Sequence, residues 1–198
     1  MRMNFIALLY GTLLGFVCLH CTQAPPPAQF TPPSDRLYDL DDLEQSIHEI
    51  VNQERADENL SLLEWNDKLS VLARNHSADM LAKGYFSHES LDGRTPSDRA
   101  AEAGFECVVE TGGSQRIGIG ENILTTVSYH SIEVSEFNGK ETTKFNWKSA
   151  DELAREIVRT WMNSRGHRRN ILRHDYIQQG IGAVVGEDQK IFVTQNFC

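Results

Sequence analysis

Three side chains far apart in the sequence could do chemistry together: His88, Glu121 and His167. His88 ends Gly84-Tyr85-Phe86-Ser87-His88, just before the turn-rich Asp92-Gly93, so it is a loop histidine beside aromatics and able to act as a ligand or an acid/base group. Glu121 and Asn122 interrupt the otherwise apolar, glycine-flanked run from Ile117 to Ile123, where a carboxylate is costly unless paired. His167 follows Trp161-Met162-Asn163-Ser164-Arg165-Gly166, in which Gly166 is expected to cap the preceding helix. Two neutral imidazoles and a carboxylate suit zinc or another divalent cation, with a fourth position open to water. Each residue also has a plainer use. A loop histidine is more often structural than a ligand, and Glu121 can serve in a salt bridge with an arginine such as Arg99.

Other chemistries find less support. No G-x-S-x-G nucleophile elbow is present, and Gly118-Ile119-Gly120 lacks both the following glycine and the Lys-Ser/Thr pair of a phosphate-binding loop. His76 falls on an inner helical stripe and reads as a hydrogen-bonded core residue, while His174 reads as exposed.

The elements that must position these residues are legible as patterns. Leu40, Leu43, Ile47, Ile50 and Val51 share one helical face, with Asp41 and Glu44 as a cap pair, predicting a helix over 41–57. A second helix runs from a cap at Asn66 to Gly84, with Leu69, Leu72, Ala73, His76 and Met80 inward. Thr95-Pro96 opens a short helix closed by Gly104, and Ser149 to Glu152 form a capping box ahead of Leu153, Ala154, Ile157, Val158, Trp161 and Met162. Strand-like runs lie at 105–110, 117–127, 180–185 and 191–197, the last two forming a hairpin, and 128–148 reads as an irregular loop. Helices before and after a largely antiparallel sheet predict an α+β layered domain.

Composition bounds the rest. At 198 residues, 40% of them hydrophobic, the chain has room for one globular domain plus a leader. The net charge of −9 argues against a general nucleic-acid surface. Charge is nevertheless segregated, acidic over 35–67 and rich in arginine over 155–173. Arg165, Arg168, Arg169 and Arg173 surround His167, and two uses are open to them: pairing with the acidic first helix, the expected one, or drawing anions to the site.

Residues 1–24 have the layout of a secretory signal or lipoprotein leader: Arg2, an uncharged apolar run over 5–19 that is short for a membrane span, then Cys21 and small residues. Residues 25–38 read as a proline-rich linker and 39–198 as the folded domain. Export is expected, with membrane attachment only through a lipid anchor. Cys107 and Cys198 are the only cysteines of the folded part, either one disulfide or two buried thiols.

Taken together, several motifs resemble the CAP domain of cysteine-rich secretory proteins, antigen 5 and pathogenesis-related 1 proteins, in its compact bacterial form. They include Leu63-Glu64-Trp65-Asn66, Gly84-Tyr85-Phe86-Ser87-His88, Gly120-Glu121-Asn122, Trp161 through Leu172 and Gly180-Ile181-Gly182, in family order from about Leu43 to Phe197. The resemblance implies a three-layer α-β-α sandwich with a central, largely antiparallel sheet. It implies a cleft holding His88, Glu121 and His167, lined also by Asn122, Ser164 and Asn170. Many animal members carry a second glutamate where this chain has Ser164, so the four-residue site is incomplete. Function follows from the family only loosely. The expectation is an exported, monomeric binding protein whose cleft takes a divalent cation or a lipid, glycan or cell-surface ligand. The alternative is a hydrolase in which Glu121 acts as general base on a water positioned by the two histidines.

Overall fold

The first helical stripe folds as its spacing predicts. In the computed structural model, which describes residues 39–111 and 114–198, α1 (Leu40–Asp57) buries Leu43, Ile47 and Val51. Its cap is Asp39, whose carboxylate accepts from the Asp42 N–H at 2.7 Å, and Glu44 turns inward instead of capping. The leader at 1–24, with Cys18 and Cys21, and the linker at 25–38 lie outside the described residues.

α2 (Asp67–Lys83) starts at the Asn66 cap and stops at Gly84, which takes the left-handed conformation at φ 68°. α3 (Pro96–Glu102) and α4 (Ala150–Asn163) both open on complete capping boxes, at Thr95/Asp98 and Ser149/Glu152. Gly166 does not cap α4. The break comes at Ser164, whose extended backbone (φ −94°, ψ 121°) ends α4 and starts α5 (Arg165–Ile171), so Gly166 and His167 sit inside a new helix.

The central sheet consists of β1 (Glu64–Trp65), β7 (Gln178–Val185), β8 (Lys190–Phe197) and β4 (Gly120–Val127), in that order, so β4 is an edge strand. β1 and β7 pair in parallel and the other pairs are antiparallel. Helices cover both faces, giving the α+β sandwich. Alternation along the strands assigns the faces. Gly180 and Gly182 lie under α2, where a Cβ on Gly182 would run into the Arg74 backbone nitrogen, and Ser77 of α2 reaches Thr194 at 2.8 Å. Ile181, Ala183 and Val193 point the other way, into the cluster built on α1 and α4.

Two smaller hairpins complete the fold: β2 (Val108–Thr111) with β3 (Ser114–Ile117), and β5 (Tyr129–Phe137) with β6 (Lys140–Trp147). The expected strand at 117–127 is therefore split at Gly118, and the stretch 128–148 is a strand pair rather than an irregular loop. The second hairpin is exposed along most of its length, so burial imposes no alternation on its residue types. Its turn carries the signal instead, with Asn138 and Gly139 at φ 52° and 72°.

Cys107 and Cys198 form a disulfide with their Cα atoms 5.6 Å apart, tying the residue before β2 to the end of β8. It spans a sequence separation of 91, a loop whose closure in the unfolded chain is worth about 4–5 kcal/mol by the chain-entropy model. Among the described residues no helix is long and apolar enough to cross a membrane.

Candidate functional site

Adjacent residues of the edge strand β4 point to opposite faces of the sheet, and the candidate site is built around that pair. Glu121 lies on the α2 side with its carboxylate 2% exposed. Oε2 accepts from Arg99 Nη2 at 2.6 Å, and Oε1 accepts from His88 Nδ1 at 2.9 Å. Arg99, on α3, also donates to the carbonyls of His88 (2.9 Å) and Arg94 (3.1 Å), so one guanidinium fixes both the carboxylate and the loop that carries His88. Asn196, opposite Glu121 on β8, adds a 3.2 Å bond to Oε2 when its amide nitrogen faces the carboxylate, with its oxygen accepting from the Ala73 N–H. The Arg99 pairing read from the sequence is thus present, and His88 joins it.

His76 is the buried core residue its helical position predicts. Its Nε2 meets the Ser87 carbonyl at 2.9 Å and lies 3.8 Å from Glu121, while Nδ1 has no partner among the described residues. Burial holds its pKa below the ordinary histidine value. His88, by contrast, is half exposed, and its Nδ1–H donates to Glu121. In the neutral ring this places the proton on Nδ1 and leaves Nε2 as the acceptor or ligand atom.

Asn122 faces the other way and is fully buried. Its Nδ2 donates to the His167 carbonyl (3.3 Å) and to Gln195 Oε1 (3.0 Å). Gln195 donates to Gln179 Oε1 at 2.6 Å, and Gln179 Nε2 meets His48 Nδ1 at 2.8 Å. Asn170 of α5 closes the near end by donating to the Glu121 carbonyl (3.0 Å) and to Asn122 Oδ1 (2.9 Å). These amides donate in one direction, from α5 through the sheet to α1. The run tethers α5, and with it His167, to β4.

His167 has its Nδ1 buried without a hydrogen-bond partner among the described residues. Burial, and then the nearby charge of His88, hold its pKa below the ordinary value, so it is neutral near pH 7. His88 and His167 are carried by segments on opposite sides of the β4 edge, within electrostatic reach of each other. Ser164 forms the joint between α4 and α5, and its hydroxyl makes no capping bond to α5. His174 is exposed, as read, and contacts Asp175. Among the described residues no group of three or more His, Cys, Asp or Glu is arranged to hold a metal ion. Both oxygens of the Glu121 carboxylate are taken, by Arg99 and by His88.

Sequence reasoning did not find Asn196 or the amide run through Gln195, Gln179 and His48. The signal was the polar triplet Thr194-Gln195-Asn196 inside an apolar strand, where amides are retained only if paired. The arginines near His167 also depart from expectation. Among the described residues only Arg168 reaches the acidic first helix, at Glu58 just past its end (3.0 Å), and Arg173 pairs with Asp175.

A family model described as CAP, the cysteine-rich secretory protein family, matches residues 48–197. YkwD of Bacillus subtilis is 30% identical over 141 residues, which cover 71% of this chain and 42% of that protein. An extracellular SCP-domain protein of Bacillus anthracis has a similar structure, with 28% identity, a TM-score of 0.55, and 79% of this chain matched to 40% of that one. An outer surface protein of Borrelia burgdorferi shares the fold at 16% identity, with a TM-score of 0.58 over 81% of this chain and 94% of its own. The chain spans about two-fifths of the length of YkwD and of the Bacillus anthracis protein.

Proposed function

Because this chain belongs to the CAP family, the cysteine-rich secretory proteins, we propose that it works outside the cytoplasm and that its edge-strand site binds a divalent cation through His88 and His167. The observation that carries the reading is the His88–Glu121–Arg99 chain. A carboxylate hydrogen-bonded to one ring nitrogen leaves the other nitrogen as a stronger, oriented ligand, the usual support of a zinc-binding histidine. His167 supplies a second imidazole held neutral by burial, which is the form a metal needs. Zinc bound there would act as a Lewis acid toward an incoming ligand oxygen. With two protein ligands instead of three, its remaining positions fall to water or to such a ligand, here proposed as a glycan, lipid or other cell-surface component. Glu121 braces His88 in this reading instead of binding the metal or serving as a free base, so we favour capture over hydrolysis.

Export rests on the leader at 1–24 and on the relatives described as extracellular or outer-surface proteins. The test is calorimetric titration of zinc into the chelator-stripped full chain and its His88→Ala/His167→Ala variant. The reading predicts about one equivalent bound, lost in the double variant. Undiminished binding by that variant would refute it.

A further inference from the structure

We infer that the arginine-lined cleft beside α5 is a second binding site, separate from the histidines, for a ligand carrying phosphate groups. The cleft has a volume of about 850 Å³ and is lined by Arg165, Arg168, Arg169 and Arg173, with Asp175 as its acidic residue. That volume is in the range of sites that hold a small organic molecule rather than a single ion.

The opposing charges leave most of this surface unspent. Asp175 is taken by Arg173, through Nη2 at 3.0 Å and Nε at 3.2 Å, and by His174. Arg168 reaches Glu58 at 3.0 Å, but both side chains are about half exposed, so the pair is weak in water and readily exchanged. Arg165 and Arg169 take part in none of the ion pairs among the described residues, and both are exposed.

A buried charge lies beneath. Arg55 is fully buried, yet among the described residues its guanidinium has only carbonyl partners: Ser61 (2.8 Å), Ile171 (2.7 Å), Arg173 (2.8 Å) and Tyr176 (3.3 Å). Three of those carbonyls belong to the end of α5 and the turn that follows it, so an uncompensated positive charge sits under the cleft. Four guanidinium groups at the cleft (Arg165, Arg168, Arg169, Arg173) meet two carboxylates in ion pairs (Glu58, Asp175), an excess of two positive charges above the buried Arg55 in a chain whose net charge is −9. Pairing with the first helix accounts for one of these arginines. The planar forks of Arg165 and Arg169 each match two oxygens of a phosphate, and the two stand one helical turn apart, which favours a ligand with more than one phosphate.

The test is fluorescence or calorimetric titration of the full chain with inorganic tripolyphosphate at 50 mM salt in excess EDTA, so that the outcome is independent of any metal at the histidines. Saturable binding is expected, with at least a tenfold loss at 200 mM salt. Arg165→Gln/Arg169→Gln is expected to weaken it at least tenfold with an unchanged melting temperature, and Arg165→Lys/Arg169→Lys by an intermediate factor, since charge is kept and the fork lost. Arg155→Gln/Arg159→Gln, on α4, is the control. No saturable binding, or an equal loss in the control, overturns the proposal. Sedimentation with phosphatidylglycerol and phosphatidylcholine vesicles identifies the source. Retention on the first alone, displaced by tripolyphosphate, makes it a lipid headgroup, and tripolyphosphate binding without retention makes it a soluble phosphate; both support the site.

Discussion

Glu44 and Glu121 meet the same physical problem in two regions of the molecule and end in different uses. Each carboxylate is 2% exposed, and each is held by an arginine. Glu44, on α1, accepts from the Ala183 N–H at 2.8 Å and from Arg74, so its partners are a strand amide and a guanidinium, neither of which changes charge near neutral pH. It fixes a helix to a strand and a second helix. Glu121 has the guanidinium of Arg99 on one oxygen and the imidazole of His88 on the other, and that imidazole is half exposed. The difference lies in the second partner: for Glu121 it is an imidazole open to solvent, for Glu44 a buried strand amide.

The largest effect expected is from Arg99→Ala. Arg99 is 11% exposed against 42% for Arg74, so its pair is the less screened of the two. Removing it leaves the buried Glu121 charge without its guanidinium and takes a donor from the His88 and Arg94 carbonyls, and should cost about 3–5 kcal/mol in denaturant unfolding while abolishing zinc binding. Retained stability would mean that Glu121 does not depend on Arg99. Glu44→Ala should cost less, about 2–3 kcal/mol, because the half-exposed Arg74 can rehydrate while the Ala183 N–H cannot. Zinc binding should not change, and a change would dissolve the contrast between the two glutamates.

Acidity separates them further. Burial raises the Glu44 pKa above its usual value, more than Arg74 lowers it. Burial lowers the pKa of His48, His76 and His167. A histidine with a depressed folded pKa stabilises the fold above its unfolded value of about 6.5, and that contribution is lost as pH falls toward the folded pKa. Glu44 acts in the opposite sense, since protonating it in acid relieves a buried charge. Stability of the metal-free protein should therefore fall from pH 7 to pH 5.5, by at most about 1.4 kcal/mol per pH unit for each histidine. His48→Gln should flatten the slope, with denaturation midpoints across the range as the check, and an unaltered slope would remove His48 from the account.

How much of this was legible differs by region. The stripes of α1, α2 and α4 predicted helices because each has one buried face, and the pairing of Glu121 with Arg99 followed from the cost of a lone buried carboxylate. The hairpin at 129–147 was not legible by alternation, because solvent covers most of both its faces. α5 escaped notice because its break from α4 is a single extended serine, and the glycine two residues on resembles a cap. The amide run from Asn122 to His48 joins residues up to 131 positions apart in sequence, and only the strand register places Gln195 between Asn122 and Gln179.

The most direct test of the contrast is the zinc affinity of Glu121→Gln beside that of Glu44→Gln, each in the chelator-stripped full chain at pH 7. If Glu121 braces His88, its amide variant binds zinc 10–100-fold more weakly while the Glu44 variant matches the unmodified protein. Equal affinities in all three proteins would contradict the account.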